Sequence, residues 1–283
     1  MNVALMPNFT RKNAYETTVN LCKALDTLNI DYYFISEGND MPHEFRSRII
    51  HTQDLDNSVD VIIAIGGDGT MIRAAKIALT SDVPILGINS GNLAYLMDLE
   101  TDEMILLDKL ISGQYYIEER FVLSVEVFDN TNQLVYSDFC INDVVFARGA
   151  EIKLTSLDFY CDNRFINRYN SDGLIVSTPT GSTAYNLAAG GPIVDPRIES
   201  IILSPVCPHS LIERTVIFSS ESEFHIVNPG NNAHTLLSCD GRDSVHFGAN
   251  YGAKIRKADK KVKFIRLKDD TFMEILHKKM KDK

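Results

Sequence analysis

Val61-Ile62-Ile63-Ala64-Ile65-Gly66-Gly67-Asp68-Gly69-Thr70, continued by Met71-Ile72-Arg73-Ala74-Ala75-Lys76-Ile77-Ala78-Leu79, is the stretch whose reading decides the fold. The apolar, β-branched run predicts a buried strand. The segment from Met71 to Leu79 has a helix-favouring composition. A strand, a glycine turn and a helix start make an anion site. Backbone N–H groups approach a phosphate closely there, and the helix N-terminus adds partial positive charge. Asp68 is out of place in such a site. A carboxylate beside phosphate oxygens is repelled unless a metal cation intervenes or it has a proton to remove. Both exceptions belong to phosphoryl transfer.

Outward from this stretch the first hundred residues alternate strand and helix. Asn2 to Met6 predicts a strand, and Ala14 to Leu28 a helix with an apolar face at Val19, Cys22, Ala24, Leu25 and Leu28. Tyr32 to Ile35 and Pro84 to Ile88 predict further strands. This alternation predicts a parallel, doubly wound α/β sheet with ligands beyond the carboxyl ends of the strands. Gly66 to Thr70 and Asn89 to Asn92 both lie at such ends.

From about Ser112 strand follows strand: Phe121 to Val127, Val135 to Phe139, Asn142 to Phe146, Lys153 to Tyr160, Thr215 to Phe218, Glu223 to Val227 and Thr235 to Ser238. Turn signals at Asn228-Pro229-Gly230-Asn231 and Asp240-Gly241 separate them. This half reads as an all-β sandwich. Lys261 to Arg266 and Thr271 to Lys279 close the chain as one strand and one helix. The expected division is an α/β domain over about 1–100 plus the tail from about 260–283, and a β-rich domain over about 101–259.

A second motif lies in the β-rich half, from Ser171-Asp172-Gly173 through Thr178-Pro179-Thr180-Gly181-Ser182-Thr183-Ala184-Tyr185. Thr178, Thr180, Ser182 and Thr183 offer hydroxyls that both donate and accept. Gly181 and Gly190-Gly191 permit close backbone approach to a ligand. Tyr185 supplies a stacking face or a hydroxyl.

Composition narrows the class. The 283 residues are 45% hydrophobic and 23% charged, as in an ordinary globular protein with two domains. No apolar run is long enough to span a bilayer, and no signal-peptide pattern opens the chain. Five cysteines, widely spaced and without a Cys-x-x-Cys pair, argue against a zinc site or a disulfide framework and for a reducing cytosol. A net charge of −10 argues against nucleic acid as a partner but not against a nucleotide. Lys278, Lys279, Lys281 and Lys283 read as a solvated helix end.

The two motifs, in this order, resemble the NAD kinase family. The resemblance covers nearly the whole chain: Gly66 to Thr70, the turn Asn89 to Leu96, Asn142-Asp143, Asp172-Gly173, Thr178 to Tyr185, Gly190-Gly191-Pro192 and Ser238-Cys239-Asp240-Gly241. It implies transfer of a phosphoryl group from ATP, or another donor such as polyphosphate, to the 2′-hydroxyl of the adenosine ribose of NAD. Asp68 is then the general base, an effect of roughly 10²- to 10⁴-fold. A divalent cation, most simply Mg²⁺, balances the phosphate charge. Gly66, Gly67, Asp68, Gly69 and Thr70 form the donor loop, with Arg73 as a phosphate contact one turn on.

For NAD the resemblance implies Asp68, Gly69, Asn89, Asn142, Asp143, Asn170, Asp172, Thr183, Ala184, Tyr185, Asn186, Leu187 and Ala188. Asn142 with Asp143 suits a ribose diol or an adenine edge, and Asp172 the nicotinamide amide. His209 and Cys239 read as structural. A homo-oligomer in the cytoplasm is expected.

The chain departs from the family at Leu93-Ala94-Tyr95, at Asn170 where an arginine is common, and at Asp143 where glutamate is commoner. Arg168 is the candidate to replace the missing charge. Two rival classes remain: a lipid or sugar kinase with the same glycine loop, and a non-catalytic NAD(P) binder. Against the first stands the Thr178-to-Tyr185 run, and against the second the intact glycine loop with Asp68.

Overall fold

Five parallel strands, β1 (Asn2–Pro7), β2 (Asp31–Ile35), β3 (Ile49–Ile50), β4 (Val61–Gly66) and β5 (Ile85–Asn89), lie in the order β3-β2-β1-β4-β5 in the computed structural model. It describes every residue except 37–40, 56–57, 92–93, 150–152, 211, 231–233 and 282–283, and leaves the side chains of 279 and 281 undescribed. Asn92 and Leu93 of the first turn, Asn231 of a later one, and Lys283 therefore lie outside the described residues. The chain divides into two units, Met1–Glu119 with Val262–Lys283, and Arg120–Lys261.

In the first unit, β4 is buried at every position, as its continuous apolar run requires of a strand covered on both faces. Helix α1 (Ala14–Thr27) places Leu21 and Leu25 in one cluster with Leu86 and Ile88 of β5. Between those two, Gly87 points the other way. A Cβ there would lie 3.1 Å from the sulfur of Met71, in α2 (Asp68–Ser81). The two helices thus cover opposite faces, and the sheet is doubly wound. The strand order reverses between β1 and β4, so the expected ligand crevice is at their carboxyl ends. There Asn8 donates its backbone N–H to Ile65 O at 2.9 Å and its side-chain amide to Thr70 Oγ1 at 3.3 Å.

The closing strand is longer than expected: it runs from Gly252 to Arg266, where the sequence predicts only Lys261 to Arg266. Its lysines and arginines hid it. They sit largely at exposed positions alternating with buried Ala253, Ile255, Ala258 and Val262. Its last residues pair parallel to β5, with Phe264 opposite Ile85. The helix Phe272–Lys281 follows.

The second unit is almost wholly antiparallel β. One set of strands pairs Arg164–Ser171 with Thr155–Cys161, then Phe224–Val227, then Gly252–Arg266 over its first four residues; Tyr116–Phe128 pairs with Leu134–Cys140. The second sheet runs Val216–Ser219, Ser200–Val206, Gly173–Ser177, Asp143–Arg148, Thr235–Cys239, Val245–Phe247. Their inner faces share one core. Phe159 and Phe224 meet edge to face at 4.9 Å, and Phe146 and Phe247 at 5.0 Å. Each such buried ring contributes about 1.5–3 kcal/mol.

Four of these strands escape sequence reading, among them Gly173–Ser177, whose short apolar run leads straight into the hydroxyl-rich motif. Arg164–Ser171 is mostly exposed, Ser200–Val206 carries Pro205, and Val245–Phe247 is very short.

Candidate functional site

Gly66 ends β4 and pairs with Asn89 at the end of β5, so two of the expected site segments are neighbours in the first unit. A Cβ on Gly66 would lie 2.2 Å from Thr70 Oγ1, which explains glycine at this position by packing. At Gly67 and Gly69 a Cβ would meet nothing within 4 Å, so the outer side of the loop is open. Helix α2 starts at Asp68, which places this carboxylate in the first turn, where the helix dipole favours negative charge.

Two backbone groups hold Asp68. The N–H of Tyr95 donates to Oδ2 and the N–H of Leu96 to Oδ1, both at 2.8 Å. One donor per oxygen fixes the plane of the carboxylate. Burial, then the charge of Asp68, raises the Tyr95 phenol above its ordinary value. Neither amide is legible as a partner of Asp68 in the sequence, because the two segments lie 27 and 28 residues apart.

The other expected residues of this unit have partners of their own. Asn89 is buried, donating to Glu100 Oε2 at 2.9 Å and accepting the N–H of Gly91 at 3.0 Å. Thr70 is buried and turned toward Asn8. Arg73 is partly buried on α2, five residues beyond Asp68.

In the second unit Asn142, Asp143, Ala184 and Tyr185 line one cavity of about 390 Å³, together with Val145, Ser238, Asp240 and Gly241. Asp240 occupies a left-handed turn position (φ +54°) that brings its carboxylate to the backbone N–H groups of Ile141, Asn142 and Asp143, at 3.1, 2.7 and 3.3 Å. The Asp143 carboxyl is 4% exposed. Burial, and next the charge of Asp240, push its pKa up to about 7, while the Tyr185 N–H opposes them. Tyr185 itself is 45% exposed. Asp240 is a wall of this cavity to which sequence reading assigned no role; Asp240-Gly241 registers there as a turn and as part of the family resemblance.

The hydroxyl-rich run bonds largely within the fold. It forms a 3₁₀ turn, Thr180–Thr183, and a helical turn, Tyr185–Ala188. Thr178 Oγ1 donates to Ile141 O at 2.6 Å and accepts the Gly181 N–H at 3.0 Å. Ser182 bonds both backbone groups of Val194, and Thr180 accepts from buried Arg120 at 3.1 Å. Thr183 turns back to Thr180 O at 3.4 Å. Asn186 is fully buried; its amide donates to Ser182 O and Pro192 O and its oxygen accepts from Ser204. A Cβ on Gly191 would lie 2.2 Å from that amide. These groups brace Asn142 and Tyr185 in position. Leu187 and Ala188 continue the helical turn.

Asn170 and Asp172 are not brought to the cavity. The register places Ser177 opposite Asp143 and Gly173 opposite Ala147, so Asp172 stands at the far end of Asp143–Arg148. That is roughly 16 Å away at about 3.3 Å per residue. There it pairs with Arg148 at 2.8 Å. Asn170 is exposed and accepts the backbone N–H of His209 at 3.0 Å. Arg168, the expected substitute for a missing arginine, is committed to Asp158 with both ends of its guanidinium. Cys239 is buried, and all five cysteines are free.

Among the described residues no group of three or more His, Cys, Asp or Glu side chains is placed to hold a metal ion. No helix among them is long and apolar enough to cross a membrane.

Comparison with known proteins extends this picture. The family model for the ATP-NAD kinase N-terminal domain matches residues 3–115, and that for the ATP-NAD kinase C-terminal domain matches residues 141–267. The NAD kinase of Natranaerobius thermophilus is 32% identical over 280 residues, covering 99% of this chain and 97% of that protein. The NAD kinase of Moorella thermoacetica is 39% identical over 222 residues, 78% of this chain and 71% of that protein. The crystal structure of yeast NADH kinase complexed with NADH has a TM-score of 0.87 at 24% identity, over 99% of this chain and 87% of that one, a likeness of fold.

Proposed function

The chain belongs to the ATP-NAD kinase family and phosphorylates NAD to NADP, and we propose that Asp68 is the base that takes the proton from the acceptor hydroxyl. The observation that carries this reading is the carboxylate held by the Tyr95 and Leu96 N–H groups at the carboxyl end of β4. A ribose hydroxyl is a weak nucleophile at neutral pH, and a fixed carboxylate in hydrogen-bond reach lowers the barrier to its attack. The proton moves to a carboxylate oxygen as the hydroxyl oxygen bonds to the terminal phosphorus of ATP, while the bond from that phosphorus to its bridging oxygen breaks and ADP leaves with the electron pair.

ATP is the phosphate donor of the family. In our reading its phosphates meet the open side of the loop at Gly67 and Gly69, at the start of α2. A divalent cation, most simply Mg²⁺, fits this donor set. Such an ion keeps several waters and would take its other ligands from the phosphates of the donor, leaving Asp68 free to accept the proton. If held there, it would neutralise charge on the transferred phosphoryl group.

NAD is assigned to the cavity of the second unit. Asn142 and the carboxyl of Asp143 suit a ribose diol or an adenine edge, and half-exposed Tyr185 offers a stacking face. Ala184 lines the same wall. The first unit is then the donor domain and the second the acceptor domain. A cytoplasmic homo-oligomer fits the free cysteines and the exposed Leu134 and Val135 on the edge strand Leu134–Cys140.

The test is NADP formation from NAD, ATP and Mg²⁺, with Asp68→Asn alongside. Wild-type product with a loss of roughly 10²- to 10⁴-fold in the variant, with the fold retained, is expected. A variant with the wild-type rate removes Asp68 from the chemistry.

A further inference from the structure

Leu96 is held from both sides. Its N–H donates to Asp68 Oδ1 at 2.8 Å, and its carbonyl accepts from Arg266 Nη1 at 3.0 Å. Arg266 is only 4% exposed and comes from the last residue of the closing strand, 170 residues further along the chain. Its Nε donates to Glu118 Oε2 at 2.7 Å, and Nη1 lies 3.7 Å from Asp98 Oδ1. The other Asp98 oxygen accepts the Leu267 N–H at 2.9 Å. The guanidinium is planar and cannot turn without losing one of these partners.

Residues 94–98 form no helix or strand, so backbone pairing does not set where the Tyr95 and Leu96 N–H groups point. From this geometry we infer that Arg266 is a positioning residue for Asp68, fixing through Leu96 the two N–H groups that orient its carboxylate. The inference rests on Asp68 being the base. Arg266 touches neither substrate nor Asp68 itself; it acts by keeping Leu96 in place. Displacement of a reacting group by about 1 Å costs up to about 10²-fold in rate, so a loosened clamp reads out in kcat rather than in NAD binding.

Arg266→Lys keeps the positive charge among Asp98 and Glu118, but a single ammonium cannot reproduce the fork. The expected result is a fall in kcat of roughly tenfold with KM for NAD within about twofold, and faster hydrogen exchange at the Tyr95 and Leu96 amides. Glu118→Gln, which leaves Arg266 in place, is expected to give a smaller fall of the same kind. The decisive arm repeats Arg266→Lys in an Asp68→Asn background, where the fall in kcat should vanish, because the group being positioned is gone. An equal fall in both backgrounds overturns the inference and makes Arg266 merely structural, as does unchanged exchange at the two amides. Wild-type turnover by Asp68→Asn alone overturns the base assignment, and the inference with it.

Discussion

Asp240 Oδ1 accepts the backbone N–H of Asn142 at 2.7 Å, which sets its charge against the buried carboxyl of Asp143, the next residue along. A turn residue thereby tunes a cavity residue almost a hundred positions away.

The pH dependence of stability follows from this pair. Asp143 titrates at about 7 in the folded state, against about 3.9 for an ordinary aspartate. Between those values the folded protein keeps a proton that the unfolded chain has lost, so stability falls as pH rises through the window. The loss is on the order of a few kcal/mol, at about 1.4 kcal/mol per unit. Thermal unfolding from pH 4 to 8 should show the wild type losing Tm relative to Asp143→Asn. Parallel curves for the two proteins would mean that Asp143 is not the group responsible.

The glycines of the donor loop should separate by role. Gly66→Ala puts a Cβ 2.2 Å from Thr70 Oγ1 and should cost about 1–3 kcal/mol of stability. Gly69→Ala meets nothing within 4 Å and gains helix propensity of up to about 1 kcal/mol. Its Tm should hold or rise, while KM for ATP rises about tenfold if that face takes phosphate. Chemical denaturation and steady-state kinetics on both variants check the contrast.

Thr178 belongs to the fold. Thr178→Val leaves Ile141 O and the Gly181 N–H without the hydroxyl that joins them, at a cost of about 1–3 kcal/mol. Denaturant midpoints measure it. A variant as stable as wild type would reassign the hydroxyl to ligand.

Tyr185→Ala should raise KM for NAD by roughly 10- to 100-fold, in keeping with about 1–3 kcal/mol per stacked base, and leave KM for ATP within about twofold. Calorimetric titration with each nucleotide separates the two. Equal weakening of both would put the acceptor elsewhere.

Much of this protein was legible in its residues. The run Val61 to Ile65 followed by Gly66 to Thr70 predicts strand, turn and helix, and these form as β4 and α2. Hydrophobic periodicity, turn glycines and caps act within a few residues of one another, so local sequence determines them. The same holds for the shift from alternating elements to antiparallel strands; Asn142, Asp143, Ala184 and Tyr185, which line one cavity, were marked by the family resemblance and not by local signals. Tertiary structure alone decided which groups those residues meet. It brought Asp240 to the amides of residues 141 to 143, turned Thr178 and Asn186 inward, set Asp172 at the far end of its strand beside Arg148, and carried Arg266 to Leu96. Asp240 and Asn142, Thr178 and Ile141, and Arg266 and Leu96 are 98, 37 and 170 positions apart, and hydrogen bonds over such separations leave no trace in local composition. The two ends of each meet only once strand order and register have closed the chain on itself.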